Sequence, residues 1–192
     1  SIQQCDLPQL DPTRRVLGVI RPTAEVIGGL TRSRHVGLLA TEGTVKSQSY
    51  NLEIEKLHPD IKVTGVACPL WVPIIENNEA DSPGADYFVK KRIDHLMLLD
   101  PKIDTIILGC THYPILMPKI LKYIQPGVRI VPQSEYVADS LKDYLGRHPE
   151  MDAQCTKHGK SLYFTTENPV KFKENARIFL PSSIHVEHID LE

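Results

Sequence analysis

Short apolar runs recur along this chain, each followed by a stretch with helical spacing. The clearest are His35-Val-Gly-Leu-Leu-Ala-Thr41, Ile61-Lys-Val-Thr-Gly-Val-Ala67, Thr105-Ile-Ile-Leu108 and Val128-Arg-Ile-Val131. Brief runs rich in Val, Ile and Leu, bounded by turn residues, read as strands. A helix between two strands carries the chain back to the edge it left, so successive strands run parallel and the helices cover the sheet faces. This alternation constrains the fold more than any other feature. It predicts an α/β protein with mostly parallel sheets flanked by helices.

The intervening segments fill in the pattern. Arg15-Val-Leu-Gly-Val-Ile20 reads as a first strand stopped at Arg21-Pro22, with Pro22 opening a helix that Gly28 and Gly29 weaken. "TEGTVKSQSYNLEIEKLHPD" reads as a turn and a helix with Val45, Tyr50, Leu52, Ile54 and Leu57 on its apolar face, ended by Pro59. "LWVPIIENNEA" is a short helix and "DSPGAD" a turn; Tyr87, Phe88, Val89, Ile93, Leu96 and Leu99 then mark an amphipathic helix. "HYPILMPKILKYI" is helical. "SEYVADSLKDYLG" is helical too, opened by Ser134 as cap and closed by Gly146. "KSLYFTT" is a strand, "NPVKFKENARIFL" a helix capped by Asn168, and "IHVEHIDL" an edge strand.

Composition removes several classes of function. The 192 residues suffice for one domain or two small lobes. With 22 basic and 24 acidic residues the net charge is -2, which offers nothing to nucleic acid or to an anionic membrane surface. No apolar run approaches the roughly 20 residues that span a bilayer. The four cysteines, Cys5, Cys68, Cys110 and Cys155, are scattered and form no CxxC pair. Neither a structural zinc site nor a disulfide framework is expected; the thiols read as free, in a reducing cytoplasm. No GxGxxG, GxxxxGK[ST] or GxSxG occurs, so no nucleotide loop or serine-hydrolase elbow is expected.

In open α/β sheets ligands bind beyond the carboxyl ends of the strands. Three loops carry polar groups there: Thr41-Glu-Gly-Thr44; Cys68-Pro-Leu, with Glu76 downstream; and Gly109-Cys-Thr-His112. Each precedes a predicted helix, whose free N–H groups can receive an anion. Cys110 is the sharpest candidate. A thiol between a strand end and a helix start feels a field that favours thiolate, and His112 can share its proton while Thr111 adds a hydroxyl. The plainer reading makes Cys110 a small buried filler and His112 a satisfied loop residue. Side chains at i and i+2 of an extended loop point apart, which counts against a Cys110–His112 hydrolase pair. Cys68 has no polar neighbours in its loop and reads as structural. Thr41 and Thr44 read first as a helix cap, second as a carboxylate or phosphate contact. Glu76 is either the first solvent-facing residue of its helix or a partner for an imidazole.

Taken in order, "GVIRPTAEVI", "VGLLATEGTVKSQSY", "ACPLWVPIIE", "ILGCTHYP" and "PQSEYVADSL" resemble the glutamate racemases of the aspartate/glutamate racemase group, from about residue 16 to at least residue 170. The resemblance implies a two-lobed enzyme that interconverts L- and D-glutamate for peptidoglycan synthesis, in the cytoplasm, without cofactor or metal, with a homodimer as its expected assembly. It implies that Cys110 is one of two cysteines facing each other across the substrate Cα, with His112 assisting it and Glu76 supporting the histidine. Thr111, Thr41 and Thr44 match substrate-contacting positions. It further implies that residues 21–133 form a complete lobe, with 1–20 and 134–192 belonging to a second, incomplete one. The family's Asp-Ser-Gly segment and first catalytic cysteine, in a Cys-Asn-Thr segment, have no counterpart here. The chain is therefore expected to be a fragment, inactive by itself. Two alternatives remain: an aspartate-type racemase, and a non-catalytic protein that binds acidic amino acids.

Overall fold

The computed structural model describes residues 9, 16–159, 161–180 and 183–191. Cys5 lies outside them. The element order is α1 (Ile20–Leu30), β1 (His35–Ala40), α2 (Glu42–Ser47), α3 (Ser49–Leu57), β2 (Lys62–Ala67), α4 (Trp71–Glu76), α5 (Pro83–Leu99) and β3 (Thr105–Leu108). A 3-10 turn (Tyr113–Leu116) leads into α6 (Met117–Tyr123), β4 (Arg129–Pro132), α7 (Gln133–Arg147), α8 (Pro149–Asp152), β5 (Tyr163–Thr165), α9 (Pro169–Ala176) and β6 (Val186–His188).

Strands β2-β1-β3-β4 form a four-stranded sheet in that spatial order, all parallel. Alternation along β1 and β3 assigns the faces. Leu39, Ile106 and Leu108 meet Trp71, Ile75, Val89, Ile93, Leu96 and Ile120 from α4, α5 and α6. Val36, Leu38, Ala40 and Ile107 meet Ala24, Ile27, Tyr50 and Ile54 from α1 and α3 on the opposite face. Covered on both sides, these strands are continuous apolar runs rather than alternating ones, as a buried parallel sheet demands.

Two carboxylates, Asp100 buried and Asp104 half-buried, tie down the amino edge of this sheet. Asp100 accepts from His35 Nδ1 at 2.7 Å and from the Lys102 N–H at 3.2 Å, and pairs with Lys62 Nζ at 2.9 Å. Asp104 accepts from Thr31 Oγ1 at 2.6 Å and from the N–H groups of Arg32 and Ser33, each at 2.7 Å. Burial pushes both carboxyls up, but the hydrogen bonds outweigh it and hold them well below the usual carboxylate range.

Residues 161–180 and 183–191 build a much smaller unit. β5 and β6 pair parallel, joined through α9, with Tyr163 opposite Val186 and Thr165 opposite His188. Asn168 caps α9 by accepting from Val170 N–H at 2.8 Å, as the sequence indicates.

Several local expectations are corrected. Val16–Gly18 is not a strand, and Ile20 already belongs to α1; no strand among the described residues lies beside that run to pair with it. The helix after Thr41 is broken at Gln48, whose φ of 54° is left-handed, into α2 and α3; within α3 Tyr50 and Ile54 share the buried face, and Leu52, two residues from each, faces solvent. "DSPGAD" is mostly the first turn of α5: Ser82 caps it by accepting from Ala85 N–H, and Pro83 takes the first helical position. Ser134 is not a cap. α7 begins at Gln133 directly after Pro132, and Gly146 lies inside its last turn.

Candidate active site

Thr41, Cys68 and Gly109 each directly follow a strand of the four-stranded sheet, so their loops share its carboxyl edge. The ladder continues beyond the strands: Cys68 N–H donates to Ala40 O and Gly109 N–H to Leu39 O, each at 2.8 Å. A side chain at Gly109 would put its Cβ 2.9 Å from Ala40 Cβ and 2.9 Å from Leu38 Cδ1. Glycine there lets the loop hug β1, which sets the height of Cys110 above the sheet.

After Gly109 the backbone turns instead of extending. Tyr113 N–H donates to Cys110 O at 3.2 Å, and His112 has helical φ and ψ. The turn brings Cys110 Sγ and His112 Nδ1 to 3.9 Å, so the expectation that these side chains diverge is overturned. The other imidazole nitrogen, Nε2, stands 3.1 Å from Glu76 Oε1 at the end of α4. Thiol, imidazole and carboxylate thus form a chain of contacts, contributed by the loop after β3 and the last residue of α4. Cys110 is half-buried and Glu76 exposed.

The electrostatics of the thiol also differ from expectation. Burial pushes the Cys110 pKa up; the N–H groups of His112 and Tyr113 pull it down, and the Glu76 charge raises it further. The balance favours the thiol, not the thiolate. The element ahead of it is a four-residue 3-10 turn, which has too few aligned peptide dipoles to overcome desolvation. Proton removal from Cys110 must therefore be assisted, and His112 Nδ1 is the nitrogen in position to assist.

Thr41 and Thr44 sit at the neighbouring strand end. Thr41 Oγ1 accepts from Thr44 N–H at 3.4 Å, which is the capping role, and the two hydroxyls are 2.9 Å apart. Both are partly exposed, and Thr111 is exposed beside Cys110. Cys68 is fully buried, with its thiol pushed up to about 12 by desolvation, and Tyr113 Oη donates to its carbonyl at 3.2 Å. It is a core residue, and so is Trp71, which packs edge-on to Tyr113. Cys155 is exposed at the end of α8. A cavity of about 400 Å³ opens beside Glu76, between Asn77 and Asn78 and the Glu174–Ile178 stretch. Among the described residues no three His, Cys, Asp or Glu side chains gather to hold a metal ion. No described helix is long and apolar enough to cross a membrane.

One residue at this edge escaped the sequence reading. Gln133, the first residue of α7, donates from Nε2 to Leu108 O at 3.0 Å and accepts through Oε1 from Tyr50 Oη at 2.5 Å and Thr23 Oγ1 at 3.3 Å. It fastens the end of β3 to α3 and α1. Nothing about a glutamine in "PQSEY" marks it for this; only the adjacency of β3 and β4 does.

Fold and site together define an α/β protein that presents a thiol beside an imidazole at the carboxyl edge of a parallel sheet. No family model matches the chain. Its sequence is 40% identical over 179 residues to a glutamate racemase of Streptococcus pyogenes, covering 92% of this chain and 66% of that relative. Its structure superposes on a glutamate racemase isoform of Bacillus anthracis with a TM-score of 0.83 at 32% identity, covering 97% of this chain and 69% of the other. A glutamate racemase of Francisella tularensis, solved with D-glutamate, gives a TM-score of 0.82 at 26% identity, with 96% and 67% covered. The chain belongs to the glutamate racemase family. It spans 66% of the length of the Streptococcus relatives it matches.

Proposed function

We propose that this chain carries one half of a two-base, cofactor-independent racemisation of glutamate, supplying D-glutamate for peptidoglycan. The observation that carries the reading is the chain of contacts from Cys110 Sγ through His112 to Glu76 Oε1. His112 Nδ1 takes the thiol proton, and Glu76 stabilises the resulting imidazolium through Nε2. The thiolate then removes the substrate α-proton, and a second acid returns one to the opposite face. The α-carboxylate, where the carbanion charge develops, is stabilised by N–H groups of the 110–113 turn and by the hydroxyls of Thr111, Thr41 and Thr44.

The second acid–base group must oppose Cys110. Among the described residues, Cys68 is sealed in the core and Cys155 stands exposed at the end of α8, so neither fits the part. The paired hydroxyls of Thr41 and Thr44, 2.9 Å apart at the strand end, also fit a second reading, a non-catalytic site that binds acidic amino acids. Residues 21–133 are proposed as the lobe that carries substrate, with 134–192 returning to the other lobe. A cytoplasmic setting and a homodimer complete the proposal.

The test is protection from alkylation, read peptide by peptide. L- and D-glutamate should each slow iodoacetamide labelling of Cys110 while leaving Cys155 unchanged. Cα–H exchange of both enantiomers in D2O, followed by proton NMR, tests the chemistry. Protection without exchange supports the binding reading. Equal labelling of Cys110 with and without glutamate, together with no exchange, would sink both.

A further inference from the structure

We propose that Phe179 is a positioning residue for His112. The consequence for proton transfer rests on the preceding reading of Cys110, His112 and Glu76; the geometry does not. The Phe179 and His112 rings stand 4.9 Å apart between centroids with an interplanar angle of 78°, a T-shaped contact. Phe179 is 42% exposed, so its ring is no core filler.

The imidazole needs such a contact. Its hydrogen bond to Glu76 reaches a carboxylate that is 43% exposed at the end of a six-residue helix, and its approach to Cys110 Sγ is a long 3.9 Å. A single hydrogen bond to an exposed partner fixes one point of a ring, not its plane. The aromatic contact supplies the second constraint, and aromatic pairs of this geometry favour one arrangement by about two- to tenfold. Phe179 is itself held. Hydrogen bonds from Ile178 N–H to Asn175 O, Phe179 N–H to Ala176 O and Leu180 N–H to Ala176 O carry the helical turn past the end of α9. Ile178 packs against the core cluster under the site. The α9 end thereby reaches across to the four-stranded unit and sets the plane of its imidazole, with Nδ1 toward the thiol and Nε2 toward Glu76.

The experiment uses the whole chain labelled with 15N-histidine, the His112 signals being identified by their loss in His112→Gln. In the parent protein the two ring nitrogens should give well-separated 15N shifts, one tautomer being held with its proton on Nε2, and the ring protons should show an aromatic ring-current displacement. Phe179→Ala and Phe179→Leu should each lose the displacement and draw the two nitrogen shifts together, whereas Phe179→Trp should keep both signatures. Retention of the separated shifts in Phe179→Leu would overturn the assignment, because apolar cover alone would then suffice. Unchanged spectra in Phe179→Ala would overturn it outright. These signals report ring placement and not turnover. A chain that fails the glutamate protection test can therefore still pass this one, and the reverse.

Discussion

The four-stranded unit and the β5–β6 unit are both parallel, and both alternate strand with helix, yet they differ sharply in what they bury. β1 and β3 are covered on both faces, and nearly every residue along them is buried. In the smaller unit Leu162, Phe164, Val170 and Leu191 are exposed, and α9 contains no buried residue. Two strands and one helix cannot enclose an apolar interior, whereas four strands between two helical layers can. The chemistry follows the burial. The proposed relay stands on the enclosed sheet, whose loops are held in place, and the smaller unit contributes one ring from its edge.

The comparison can be broken at several points. The largest expected effect is chemical: Cys110→Ser should lower glutamate Cα–H exchange by about 10²–10⁴-fold, the range for losing a positioned acid–base group. Deuterium incorporation followed by NMR measures it; exchange at an undiminished rate would move the chemistry away from the enclosed sheet. Next, Leu108→Ala should cost about 2–5 kcal/mol in denaturant unfolding, because its side chain is fully buried. Phe164→Ala in the small unit should cost under about 0.5 kcal/mol. Equal costs would erase the contrast. Gly109→Ala comes third at about 1–3 kcal/mol, since the new methyl lands on Ala40 and Leu38; a neutral result would show that the loop can lift off β1.

The smallest effects come from pH. Burial holds the Cys68 thiol near 12 and the Tyr50 phenol near 12, both above their unfolded values. Their neutral forms stabilise the fold fully below about pH 9, and that stability is lost as pH rises toward 12, because the unfolded chain ionises first. Asp100 and Asp104 act in the opposite direction. Their depressed pKa values contribute stability present above about pH 4 that is lost as pH falls below it. Urea midpoints across pH should trace a plateau with two shoulders, and Cys68→Ala should shrink the alkaline one.

The enclosed unit was also the legible one. Thr105–Leu108 reads as a strand to the residue, since a four-residue apolar run ending in glycine has few other uses in a chain of this pattern. Cys110, His112 and Glu76 were nominated by residue type and position, and the structure places them in one chain of contacts. The turn that joins them was not legible: an extended Cys-Thr-His segment would have separated thiol from imidazole. Nor was the thiol's raised pKa, which depends on how much protein surrounds it. Ser134 looked like a cap by type, but Pro132 already fixes the backbone entering α7. Gln133 and Phe179 act through neighbours distant in sequence, and single-sequence patterns carry no information about such pairs. Val16–Gly18 misled because an apolar run satisfies strand propensity whether or not a partner strand stands beside it.

The break at Gln48 has a consequence for exchange of the backbone amides. α2 buries none of its residues, whereas α3 beyond the break anchors Tyr50 and Ile54 in the core. A continuous helix would have tied the Thr41–Thr44 turn to that anchor. With the left-handed residue between them, amides 44–47 are expected to open and exchange as a separate, weakly protected group while those of Leu52–Leu57 stay slow. The two threonine hydroxyls thus ride on a segment with no buried anchor of its own, and a ligand held by them would register as slowed exchange in those few amides.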